Sequence, residues 1–136
     1  MNTISIFLDD SRDPIYIKDR LGNFYPDSWV VCRNFLDFKK AVDHNFENIN
    51  LVSFDHDLSD YDKSGVEFTG VDACQYLIDK CIETGSTFPN WYVHTSNTSG
   101  RSNIINDILN YLRHFENKKY NWIYYYSGII DNHILV

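Results

Sequence analysis

Three short runs hold the residue types that chemistry needs: Asp9-Asp10, Asp55-His56-Asp57 and His94-Thr95-Ser96-Asn97. Carboxylates brought to one place repel by kilocalories unless a cation or protons intervene, because nearby like charges raise each other's pKa. Mg²⁺ is the simplest remedy, since it takes oxygen ligands and is shared between one or two carboxylates and a phosphate. Asp9, Asp10, Asp55 and Asp57 are the candidate ligands. Imidazole gives or takes a proton near neutral pH, so His56 and His94 have the chemistry of the base and acid in phosphate-ester hydrolysis. Ser96, Asn97, Gly100 and Arg101 stand where a helix begins. Free N–H groups and the helix dipole suit that position to a phosphate, with Arg101 able to grip two oxygens.

Each residue type also has a plainer occupation. Asp forms turns and caps helices, a histidine is often buried and hydrogen-bonded, and Ser or Asn caps a helix without binding anything. Capping needs one carboxylate at a time, however, and here acids are paired after two separate strands. His44, His114 and His133 lie on or near helices and the tail and are assigned no role.

The elements that must position these runs follow from hydrophobic pattern. Ile4 to Leu8 is a short apolar stretch ending in Asp9-Asp10, as expected of a strand buried on both faces. Trp29 to Arg33 reads as a second strand, Leu51 to Phe54 as a third, Trp91 to Val93 as a fourth and Trp122 to Tyr126 as a fifth. Between them, Phe35, Phe38 and Val42, then Val71 to Cys81, then Ile104 to Leu112 recur at helical spacing. The stretch after Phe54 is polar and carries Gly65 and Gly70, which suggests a long loop. Alternating strands and helices imply an α/β fold, a mainly parallel sheet of five strands with helices on both faces. Such sheets bind ligands beyond the carboxyl ends of their strands, where strand order reverses. All three polar runs fall at that rim.

Composition narrows the setting. The 136 residues suit a single compact domain, at 43% hydrophobic and 23% charged a globular one. Nineteen acids against twelve bases give a net charge of -7, which disfavours extended contact with duplex DNA but leaves room for a small phosphorylated ligand. Cys32, Cys74 and Cys81 are odd in number and form no CxxC pair, pointing to a reducing compartment. No run approaches a membrane span, and the expectation is a cytoplasmic protein. The oligomeric state is not legible.

The same residues resemble known families. Asp9-Asp10 after the first strand, Asp55 after the third and Thr95 or Ser96 after the fourth resemble receiver domains of two-component signalling, although no Lys stands in Tyr124-Tyr125-Tyr126-Ser127. The closer resemblance is to the cyclic-phosphate-processing receiver-like family. It rests on Phe7-Leu8-Asp9-Asp10 with Arg12 and Pro14, on Ser53 to Leu58, and on His94, Asn97, Gly100, Asn103 and Ile104. The likeness covers about residues 3 to 112, with Thr95 where the family has Ser. It implies a receiver-like (flavodoxin-like) fold and action on the 2′,3′-cyclic phosphate of an RNA end or a cyclic nucleotide, in RNA repair or defence.

The expectation is a metal-assisted phosphoesterase. Asp9, Asp10, Asp55 and Asp57 would hold the ion, with Asp55 also at the reaction centre, His56 and His94 would move protons, and Arg12, Ser96, Asn97 and Arg101 would hold the phosphate. Two alternatives stand beside it: a non-catalytic module that binds a nucleotide signal or a protein partner, and a phosphorelay receiver phosphorylated on Asp55.

Overall fold

Four of the apolar runs become parallel strands of one sheet. The computed structural model describes residues 3–116 and the backbone of Ile129–Ile130. The elements in order are β1 (Ile4–Leu8), α1 (Lys18–Leu21), β2 (Val30–Cys32), α2 (Phe35–Asn45), β3 (Ile49–Phe54), β4 (Asp57–Tyr61), β5 (Glu67–Thr69), α3 (Gly70–Thr84), β6 (Asn90–Val93), α4 (Thr98–Phe115) and β7 (Ile129–Ile130), with short 3₁₀ turns around α1 and after α2. The main sheet has the order β2-β1-β3-β6-β7. β1 pairs in parallel with β2 and β3, β3 in parallel with β6, and β7 closes the edge antiparallel to β6. The fifth strand expected at Trp122–Tyr126 lies outside the described residues, as do His133 and the Ile134–Val136 tail.

Register explains the layering. Ile6, Val52 and Trp91 stand in one row, and Leu8, Phe54 and Val93 in another. Both rows face the same way, and they pack with Phe38 and Val42 of α2, Leu77 and Ile78 of α3, and Ile104 and Ile108 of α4. The alternate positions Phe7, Leu51 and Tyr92 pack with Ile17 and Leu21 of the segment around α1. The chain leaves β1 toward β2 and then returns past β1 to β3. Right-handed crossovers therefore put α1 on one face and α2 and α3 on the other. The reversal of strand order falls between β1 and β3, whose carboxyl ends carry Asp9 and Asp55.

The long helices begin and end as their sequences require. Asn34 caps α2 by accepting from the Asp37 N–H at 2.8 Å. α3 starts with a capping box: the Thr69 hydroxyl accepts from Val71 N–H at 3.1 Å and Asp72 accepts from Thr69 N–H at 2.8 Å. It stops at Gly85, whose φ of 68° is the left-handed cap. Asn97 caps α4 through Gly100 N–H at 2.8 Å.

One expectation needs correction. The polar stretch after β3 is a β-hairpin, β4 against β5, and not a loop throughout. Asp62 organises its turn by accepting from Ser64 N–H at 2.8 Å and Val66 N–H at 2.9 Å, with Gly65 at φ 87°. The hairpin is docked on α2, where Asp60 accepts from Phe35 N–H at 2.9 Å.

Candidate functional site

The three polar runs meet because the sheet's hydrogen-bond ladder continues one residue past the strands. Asp9 N–H donates to the Cys32 carbonyl at 3.0 Å, Asp55 N–H to Leu8 at 3.0 Å and His94 N–H to Phe54 at 2.9 Å. Asp9, Asp55 and His94 therefore stand side by side in the next row. With a period of two, their side chains fall on the face of Phe7, Ser53 and Tyr92. All three residues are buried, and they offer ligand-type atoms within 4.8 Å of one another.

Asp9 is the best-held group of the cluster. Its Oδ1 accepts from Ser11 N–H at 3.0 Å and Arg12 N–H at 2.8 Å; its Oδ2 accepts from Arg12 Nε at 2.8 Å and lies 3.1 Å from His94 Nε2. Burial by itself would raise the Asp9 pKa, but the bonds from His94, Arg12 and Ser11 outweigh it and hold the carboxyl well below its ordinary range. The carboxylate can only accept, so His94 Nε2 carries the proton between them. His94 Nδ1 lies 2.7 Å from the Ser53 hydroxyl, which donates to it when the ring is neutral. Burial lowers the His94 pKa despite the Asp9 bond, and the ring lies flat on Phe7 with centroids 4.5 Å apart.

Asp55 shares the same cation. Arg12 Nη2 lies 3.3 Å from Asp55 Oδ1, which also accepts from His56 N–H at 2.8 Å. Burial, and then the charge of Asp9, raises the Asp55 pKa, while hydrogen bonds from His56 N–H and Thr95 oppose the rise. The Arg12 side chain keeps 29% exposure, and its guanidinium stacks over Tyr16 at 4.4 Å.

A second group lies nearer to solvent. His56 Nδ1 is 2.8 Å from Asp57 Oδ1, so this nitrogen is the donor and Nε2 is left as the ring's acceptor. Nε2 has no hydrogen-bond partner among the described residues. Asn97 Nδ2 reaches both Asp57 oxygens at 3.3 and 3.2 Å while its Oδ1 caps α4. Hydrogen bonding from His56 lowers the Asp57 pKa. The imidazole rests against the first turn of α4, where a Cβ at Gly100 would come within 2.3 Å of His56 Cγ. Gly70 is needed just as strictly, because a Cβ there would lie 1.9 Å from the Asp55 carbonyl oxygen. Its N–H donates to the His56 carbonyl at 2.8 Å and pins the hairpin's return to the rim.

The structure thus brings Asp9, Arg12, Asp55 and His94 into one cluster, with His56, Asp57 and Asn97 in a second joined to it through Asp55. Asp10 is half-buried and makes no hydrogen bond or ion pair among the described residues. Asp57 serves His56, and its carboxylate is not one of the atoms grouped with those of Asp9 and Asp55. Ser96 is exposed at the rim, whereas Arg101 donates to the Val93 carbonyl at 2.5 Å and so secures the end of β6. Sequence reasoning missed the parts of Ser53 and Gly70. Ser53 had a signal, a lone hydroxyl inside an otherwise apolar buried strand.

Over residues 4–110 the chain matches the family described as Cyclic-phosphate processing Receiver domain. It belongs to that family, and its mainly parallel sheet flanked by helices is the receiver-like α/β fold. No curated protein and no solved structure matches it. Among the described residues no helix is long and apolar enough to cross a membrane.

Proposed function

We propose that this protein is a phosphoesterase that opens the 2′,3′-cyclic phosphate of an RNA end or a cyclic nucleotide. One observation carries the reading: His56 is held by Asp57 through Nδ1, which leaves its Nε2 lone pair at the same rim as the Arg12 guanidinium. Asp55 Oδ1 accepts from both Arg12 and the His56 backbone, so a cation and a base flank one carboxyl group.

In this scheme Arg12 holds a non-bridging phosphate oxygen, helped by the free N–H groups at the start of α4. His56 Nε2 takes a proton from a water molecule as its oxygen attacks phosphorus. The P–O bond to the ribose 2′ or 3′ oxygen breaks, and that oxygen receives a proton from solvent, while Asp55 holds Arg12 and the His56 backbone in place. The product is a phosphate monoester. Removal of the proton from His56 by solvent completes the cycle. His94 has both nitrogens engaged and is 1% exposed. Its part here is to hold Asp9, and with it Arg12, rather than to exchange protons with substrate.

Incubation with 2′,3′-cyclic mononucleotides and with oligonucleotides ending in a cyclic phosphate, followed by chromatography, tests the proposal. Monoester product that disappears in His56→Ala supports it. Intact ligand recovered from a stoichiometric complex would replace it with the binding-module reading. Asp55 at the end of β3 also favours the phosphorelay alternative, which acetyl phosphate labelling would reveal as a modification lost in Asp55→Asn.

A further inference from the structure

The buried acids of the rim call for a cation, and the chain already supplies one. A carboxylate has about four acceptor positions. Those of Asp9 are taken by Ser11 N–H, Arg12 N–H, Arg12 Nε and His94 Nε2. His94 has no lone pair to spare, because Nε2 holds its proton toward Asp9 and Nδ1 faces Ser53. The guanidinium of Arg12 meets Asp9 at 2.8 Å and Asp55 at 3.3 Å. A divalent ion shared by the two acids would have to expel that guanidinium or lie beside its charge in a buried setting. Among the described residues, Asp9, Asp55 and His94 are the one group of three or more candidate ligands, and neither Asp10 nor Asp57 joins it. The donor set does not fit a divalent ion while Arg12 is in place.

We infer that Arg12 is the resident cation of this rim, and that Asp9, Asp55 and His94 form a latent metal site that opens only when the guanidinium is removed. Without Arg12, one oxygen of Asp9 is freed beside Asp55, and Ser53 can accept from His94 Nδ1, which turns Nε2 into a ligand. The inference concerns the rim of the proposed active site but does not depend on turnover.

Mn²⁺ titration of the full chain, read by electron paramagnetic resonance and by broadening of the Asp9, Asp55 and His94 amide signals, is the test. Wild type is expected to show no saturable uptake at millimolar Mn²⁺. Arg12→Met is expected to take up one ion, bound tighter by roughly tenfold or more, as loss of a like charge a few ångströms away implies. That uptake should vanish in Arg12→Met/Asp55→Asn. Arg12→Gln, also uncharged but polar, should take up the ion in the same way and covers the case of a poorly folding Arg12→Met, whereas Arg12→Lys keeps the charge and should behave as wild type. Saturable uptake by wild type that is lost in Asp55→Asn would overturn the inference, as would a folded Arg12→Met binding no tighter than wild type. An inactive protein would leave it standing.

Discussion

His94 Nε2 and Asp9 Oδ2, 85 residues apart in the chain, meet at 3.1 Å with neither side chain exposed. The contact joins the ends of β1 and β6, which are not neighbours in the sheet, across β3 between them. It also divides the two histidines into different kinds. His94 is a buried donor that fixes Asp9, and His56 is the imidazole with a lone pair to use.

His56→Ala should lower turnover of a 2′,3′-cyclic phosphate by about 10²- to 10⁴-fold, the range for loss of a positioned general base. The His56 side chain is only 16% exposed and rests against the first turn of α4, so a loss of about 0.5–3 kcal/mol in stability should accompany it without unfolding the protein. Steady-state kinetics with a melting curve on the same sample checks both halves.

Asn97 carries two duties that can be separated. Asn97→Ala loses the α4 cap, worth about 0.5–2 kcal/mol, together with the hold on Asp57. Asn97→Asp keeps an oxygen for Gly100 N–H but sets a like charge against Asp57. Stability close to wild type with activity as low as in Asn97→Ala is the expected pattern for the Asp variant, measured by denaturant unfolding and by rate.

Ser53→Ala leaves the buried His94 Nδ1 without a partner and should cost about 1–3 kcal/mol. A two-dimensional ¹⁵N correlation of the ring nitrogens should show Nε2–H in wild type and a changed tautomer balance in the variant.

Acid should weaken the fold through His94. Its pKa is lowered by burial, so its contribution is complete above about pH 6.5 and is lost as pH falls toward the folded value. Asp9 is also depressed and begins to lose its contribution only below about pH 3.9. Asp55, raised by burial, acts the other way: its contribution is present in acid and is lost as pH rises through its folded value. The His94-dependent part of the urea midpoint should therefore fall on acidification from about pH 6.5, so the profile of His94→Gln should be flatter there than that of wild type.

The two close-approach glycines should behave differently. Gly100→Ala pushes against a side chain, His56, and should fold with about 1–3 kcal/mol less stability and reduced turnover. Gly70→Ala meets the Asp55 backbone carbonyl and should be the more damaging of the two. Denaturant midpoints of the pair decide the order.

Much of this site was legible from residue types. Short apolar runs ending in acids gave strands, and the rule for parallel sheets put their ends at one rim. The hairpin was not legible, because Asp57-Leu58-Ser59-Asp60-Tyr61 sets its two hydrophobic residues, Leu58 and Tyr61, three apart and so lacks the alternation of a strand. Nor was the bridging role of Arg12, which comes from an aperiodic turn that wraps back on Asp9. The unequal parts of the two histidines follow from their directions. His94 continues the row of a buried strand, while His56 lies at the turn into the hairpin, and such directions are set by register rather than by composition.

The most direct test follows the phosphorus itself. A 2′,3′-cyclic phosphate substrate mixed with the protein and observed by ³¹P magnetic resonance should lose its cyclic signal and gain that of a monoester, with conversion slowed by about 10²-fold or more in Asp57→Asn and His56→Ala. A cyclic signal that persists with folded protein across mononucleotides and RNA ends, or conversion unaffected by either substitution, would contradict the assignment of this rim to cyclic-phosphate opening.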